Sequence, residues 1–167
     1  MKVYLATDHA GFALKEKVKA HLIQEGYHVE DFGASSFIPT DDYTDYISKV
    51  GEAISNSPQE KGIVFGGSGQ AEAMLANKYK GVRCALFYAP RIPVHSADVT
   101  GRKSDDPYEM IRLTREHNNA NVLSLGARLL TDEEALIAVS MWLKQPFTNE
   151  ERHVRRIERM AEIEQTV

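Results

Sequence analysis

The chain has 167 residues, 43% of them hydrophobic and 26% charged, which suits one globular domain with a buried core. Its net charge of −4 at pH 7 and pI near 5.9 exclude a general nucleic-acid binder, because phosphate contacts need a surplus of Lys and Arg on one face. Cys84 is the single cysteine, which excludes an intrachain disulfide and a cysteine-built zinc cluster, and no apolar run is long enough to span a bilayer.

In chain order, Met1-Lys2 runs directly into a short buried strand over Val3 to Thr7. Phe12, Leu14, Val18, Leu22 and Ile23 then recur at helical spacing up to Gly26. Tyr27 to Phe32 reads as a second strand, Asp45 to Ser55 as a helix, and Gly62 to Phe65 as a third strand. Gln70 to Tyr79 reads as helix, Val82 to Tyr88 as strand, Pro107 to His117 as helix and Val122 to Leu125 as a fifth strand. Two further helices cover Asp132 to Leu143 and Glu150 to Glu164. This alternation predicts a single α/β domain over 1–167, a three-layer Rossmann-like fold with a five-stranded parallel sheet flanked by helices, plus a C-terminal helix over 149–165. The chain is expected to be soluble and cytoplasmic, with no membrane contact.

Two stretches read as loops, Gly33 to Asp42 and Ala89 to Asp106. The extended 89–106 loop exceeds the roughly 2–6 residues usual between a strand and a helix, which suggests a lid, an interface arm, an insertion or a plain surface excursion.

Ligands of open parallel sheets bind beyond the carboxyl ends of the strands, so the segments after the first and third strands are the places to search. The first is Thr7-Asp8-His9-Ala10-Gly11, an acid beside an imidazole; Asp8 also suits a helix cap. The second is Gly66-Gly67-Ser68-Gly69-Gln70-Ala71-Glu72, whose glycines expose backbone N–H groups to an anion or a developing enolate oxygen. It lacks the Gly-Lys-Ser/Thr ending of a nucleoside-triphosphate loop and the spacing of a dinucleotide fingerprint. A helix beginning near Ser68 would put Ser68 and Glu72 on one face, although a Glu in a first helical turn is also favoured by the macrodipole alone. Arg152 and Arg156 stand four apart and match a phosphate monoester, or else form a solvated face pairing with Glu151 and Glu158. His21, His28 and His95 have no evident partners.

The run of short motifs resembles the ribose-5-phosphate isomerase B family with the galactose- and allose-6-phosphate isomerases. The motifs are Asp8-His9-Ala10-Gly11-Phe12, Asp42-Tyr43, Gly66-Gly67-Ser68-Gly69, Ala76-Asn77-Lys78, Gly81-Val82-Arg83, His117-Asn118, Gly126-Ala127-Arg128, and Arg152-His153 with Arg156. The resemblance implies a cofactor-free aldose–ketose isomerase passing through an enediolate, with ribose 5-phosphate to ribulose 5-phosphate as the expected reaction. Asp8 and His117 would open the sugar ring, and Glu72 would move the proton between C2 and C1. Gly67, Gly69, Ser68 and Asn118 would stabilise the enediolate, and His9, Arg128, Arg152 and Arg156 would hold the phosphate. It also implies a homodimer or tetramer with the site at the subunit boundary, and no metal.

Two departures stand out. Many family members carry a cysteine base where this chain has Gly66, so the sequence resembles the subgroup in which a glutamate, here Glu72, is the base. Partial desolvation is then expected to raise the Glu72 pKa toward working pH. The stretch between Pro90 and Arg115 is also about 18 residues longer than a short member needs, several helical turns of chain. That length leaves open an isomerase of allose 6-phosphate, a tetrose phosphate or a galactose 6-phosphate-like sugar. A non-catalytic phosphosugar-binding module is the alternative from another class, opposed by Asp8, Glu72 and His117 occurring together. A nucleotide-binding domain is disfavoured by the missing phosphate-loop lysine.

Overall fold

A computed structural model describes residues 1–166; Val167, the last residue of the expected domain, lies outside them. Five strands, β1 (Lys2–Thr7), β2 (His28–Asp31), β3 (Lys61–Gly66), β4 (Cys84–Phe87) and β5 (Val122–Gly126), form one parallel sheet in the order β2-β1-β3-β5-β4. The helices are α1 (Phe12–Gln24), α2 (Thr44–Asn56), α3 (Gln70–Ala76), α4 (Glu109–Glu116), α5 (Asp132–Lys144) and α6 (Glu151–Glu164). The five-stranded parallel sheet between helices is the architecture that the alternating pattern predicts.

Strand alternation sorts the core onto two faces. Val3, Leu5, Ile63, Phe65, Leu123 and Leu125 pack with α1, α4 and α5 on one face. Tyr4, Ala6, Val64 and Val122 pack with α2 and α3 on the other. Connections that step toward β2 run over the first face and those that step toward β4 run over the second, as a constant crossover hand requires. The helix after β3 therefore leaves to one side, while those after β1 and β5 leave to the other. This opens a crevice at the carboxyl ends of these three strands.

Element ends differ from the sequence pattern where tertiary contacts intervene. Helix α3 stops at Ala76 rather than Tyr79, because Asn77 turns its carboxamide onto the backbone of Cys84. It accepts from the Cys84 N–H at 2.8 Å and donates to the Cys84 carbonyl at 3.0 Å. Helix α4 begins at Glu109 rather than Pro107, the Asp106 carboxylate accepting instead from the Tyr108 N–H at 2.8 Å. His21 is half-buried and within 2.8 Å of the Ser140 hydroxyl, so it does have a partner, supplied by α5.

The segment between β4 and α4 has no regular structure but is tied down. Arg102 pairs with Asp98 at 3.1 Å and with Glu109 and Glu116 at 2.9 Å each, and Arg112 pairs with Asp106 at 2.6 Å. These ion pairs fasten the long loop along α4, the helix that leads into His117.

Candidate active site

Asp8 is buried at the end of β1, where its Oδ1 accepts from the Ala10 N–H at 2.9 Å and caps one short turn. Beside it, the backbone N–H of His9 donates to Asp41 Oδ1 at 3.0 Å, and His9 Nδ1 lies 2.8 Å from the same oxygen. A carboxylate only accepts, so Nδ1 carries the proton and Nε2 is the nitrogen left for a ligand. Burial opposes the Asp41 charge, but the His9 hydrogen bonds outweigh it and hold Asp41 below the ordinary carboxylate value. Asp8, His9 and Asp41 each bring a donor atom within 4.8 Å of the others. Oδ1 of Asp41 accepts from both His9 groups, while its Oδ2 is buried with no hydrogen-bond partner among the described residues. Asp41 is absent from the sequence reading, since nothing local ties it to a histidine 32 positions away.

After β3 the chain turns through Gly67, Ser68 and Gly69. Gly69 sits at φ 75, with Leu86 and the backbone of Leu125 and Gly126 where a side chain would go. That left-handed residue delays the helix to Gln70, so Ser68 lies outside α3, exposed, and does not share a helical face with Glu72. Among the described residues, the N–H groups of Gly67, Ser68 and Gly69 meet no protein acceptor. Glu72 is buried in the first turn of α3, its carboxyl group filling the space where any side chain at position 66 would begin. Burial, with the Asp8 carboxylate adding to it, raises the Glu72 pKa. After β5, Arg128 lays its guanidinium over Gly67, and the Arg128 backbone N–H donates to the Gly67 carbonyl at 3.0 Å.

His117 and Asn118 occupy the opposite end of the sheet. They follow α4 and precede β5, whose pairing with β3 runs from Gly62 beside Val122 to Gly66 beside Gly126. That register separates them from the Glu72 end by roughly 13 Å of strand. Helix α6 lies at this same end: His153 stacks on His117 with ring centroids 4.3 Å apart, and Glu164 accepts from the Gly81 N–H at 3.0 Å. Arg152 is half-buried and donates to Glu150 at 2.8 Å, and Arg155 pairs with Glu151 at 3.2 Å, while Arg156 is exposed. The candidate residues thus fall into two groups at opposite ends of the sheet. Asp8, His9, Gly67, Ser68, Gly69, Glu72 and Arg128 gather at the carboxyl end, and His117, Asn118, Arg152 and Arg156 at the amino end. Cys84 belongs to neither, and burial raises its thiol pKa, so it is an inert packing group.

Residues 3–100 and 104–160 match the family described as Ribose/Galactose Isomerase, the break falling in the long loop before α4. The chain belongs to this family. Ribose-5-phosphate isomerase B of Mycolicibacterium paratuberculosis is 39% identical over 166 residues, covering 99% of this chain and 93% of that protein. The Escherichia coli ribose-5-phosphate isomerase B is 33% identical, covering 98% and 97%. Among solved structures, ribose-5-phosphate isomerase B from Mycoplasma genitalium with bound ribulose-5-phosphate superposes with a TM-score of 0.86 at 32% identity, covering 99% of this chain and 97% of that one.

Proposed function

We propose that the chain interconverts an aldose phosphate and a ketose phosphate, ribose 5-phosphate being the expected aldose, with Glu72 as the base and two copies completing each site. The observation that carries this reading is the seat of Glu72: a buried carboxylate of raised pKa beside three backbone N–H groups without protein acceptors. The relatives named ribose-5-phosphate isomerase B support a pentose phosphate as substrate. A lone thiol of raised pKa suits the reducing cytoplasm.

Asp8 and His117 of a second copy open the sugar ring by moving a proton between the ring oxygen and the anomeric hydroxyl. Glu72 then takes the C2 proton, and the electron pair flows onto the C1 carbonyl oxygen to give an enediolate. The N–H groups of Gly67, Ser68 and Gly69, with Asn118 of the second copy, stabilise that charge as it forms. Glu72 returns its proton to C1 while the O2 proton passes to O1, leaving the ketose. His9 and Arg128 hold the phosphate from one chain, Arg152 and Arg156 from the other. Charge supports the pairing. The acids Asp8, Asp41 and Glu72 cluster at the carboxyl end, and Arg152 and Arg156 at the amino end, so a two-fold dimer sets each end against its complement.

A mixed-subunit experiment tests both parts. Glu72→Gln and His117→Asn should each lose turnover by roughly 10²–10⁴ with KM largely retained. Co-folding the two variants in equal amounts should restore roughly a quarter of wild-type turnover, because half of the dimers then hold one intact site. Normal turnover in Glu72→Gln would remove the base, and no recovery on mixing would remove the shared site.

A further inference from the structure

The ring of His117 makes no hydrogen bond among the described residues, although the functional reading above gives it a proton-transfer role. The ring is stacked on one aromatic neighbour. His153, from the first turn of α6, lies face to face with it, with centroids 4.3 Å apart and planes 15° from parallel. His153 is the sole fully buried residue of α6, only 3% exposed. Yet its buried Nε2 has no hydrogen-bond partner, the nearest acid oxygen, on Glu150, lying 3.9 Å away and engaged by Arg152 at 2.8 Å. A buried ring nitrogen left unpaired is destabilising. The nitrogen is therefore not what the position needs; the flat face is.

We infer that His153 is a positioning residue whose buried ring face holds the His117 imidazole in the plane from which it exchanges a proton with the sugar. The inference rests on the assignment of His117 to ring opening. Burial, with His117, Arg152 and Arg156 nearby, pushes His153 below the ordinary imidazole value, so the platform stays neutral and does not repel His117 when that ring takes up a proton. Arg152 and His153 are adjacent in α6. The helix that presents a phosphate-holding guanidinium therefore also carries the platform that fixes the angle of the proton-transfer ring.

The test compares His153→Phe, His153→Leu, His117→Asn and the double variant His117→Asn/His153→Leu, with ketose formation from ribose 5-phosphate as the assay. His153→Phe keeps a face and removes the unpaired nitrogen, so it should retain kcat within about twofold and unfold at higher denaturant. His153→Leu should lower kcat by roughly 10- to 100-fold with KM nearly unchanged, as expected for a misaligned group. In NMR spectra, the His117 ring protons should lose their ring-current shift in the Leu variant and keep one in the Phe variant. The double variant should be no worse than His117→Asn alone. A Phe variant as impaired as Leu, a Leu variant that changes only KM, or additive losses in the double variant would each overturn the platform. Full turnover in His117→Asn is a different failure, one that removes the ring-opening assignment itself.

Discussion

The two ends of the sheet treat charge in opposite ways. At the carboxyl end, Glu72 is buried with no cation paired to it, and backbone N–H groups are left unspent around it. At the amino end, three cations are sunk among backbone carbonyls. Arg83 donates to the carbonyls of Gly81, Asn118 and Asn119, Arg115 to those of Ala120 and Gln145, and Lys61 to that of Gln59. The contrast separates structural charge from functional charge. Arg83 and Arg115 are hydrogen-bonded to the backbone and serve the fold, whereas Arg156 and Arg128 are exposed. The backbone N–H groups left free beside Glu72 and the carbonyls filled by Arg83 and Arg115 are the two extremes of that contrast.

The largest disturbance to this contrast comes from Gly66→Ala. A side chain there meets the Glu72 carboxyl group directly, so the base must leave its seat, and kcat is expected to fall by at least roughly 10². Wild-type turnover in that variant would show that the seat does not matter. Lys61 probes the amino end. Burial and the nearby Arg115 guanidinium pull its pKa down to about 8 from 10.5. Because the unfolded chain binds that proton more tightly, the folded state is penalised fully below pH 8, and stability rises as pH climbs from 8 toward 10.5. Lys61→Met removes the penalty. It should gain about 2–3 kcal/mol at pH 7 by urea unfolding, with the gap closing across that window; an equal or lower midpoint at pH 7 would contradict a buried penalty. The smallest effect is on pH response. Glu72 must be ionised to act, and its raised pKa sets the acid limb of kcat. Asp8→Asn deletes the like charge that helps raise it, so the limb of the residual activity should move to lower pH; a stationary limb would leave burial as the whole cause.

Much of this was legible in the sequence, and for physical reasons. The unbroken apolar runs of Val3 to Ala6 and Ile63 to Phe65 follow directly from strands buried on both faces. The glycine turn and Glu72 are local, so their neighbourhood could be read from adjacent residues. The placement of β5 between β3 and β4 could not, because it depends on which way a crossover steps and not on local propensity. Ser68 fell outside α3 because Gly69 takes a left-handed conformation that the helical spacing does not reveal. Asp41 and His153 escaped for the same reason as each other: their roles exist only in contacts across 32 and 36 positions, with His9 and His117 respectively.

The Asn77 carboxamide has a meaning beyond ending a helix. β4 is an outer strand with one neighbour, β5, and its free edge offers an N–H and a carbonyl at Cys84 to any passing chain. Asn77 answers both groups at once, as a paired strand would, with a single side chain. The amide is a counterfeit strand: it occupies the first rung of the open edge and denies an incoming chain the place where a ladder would start.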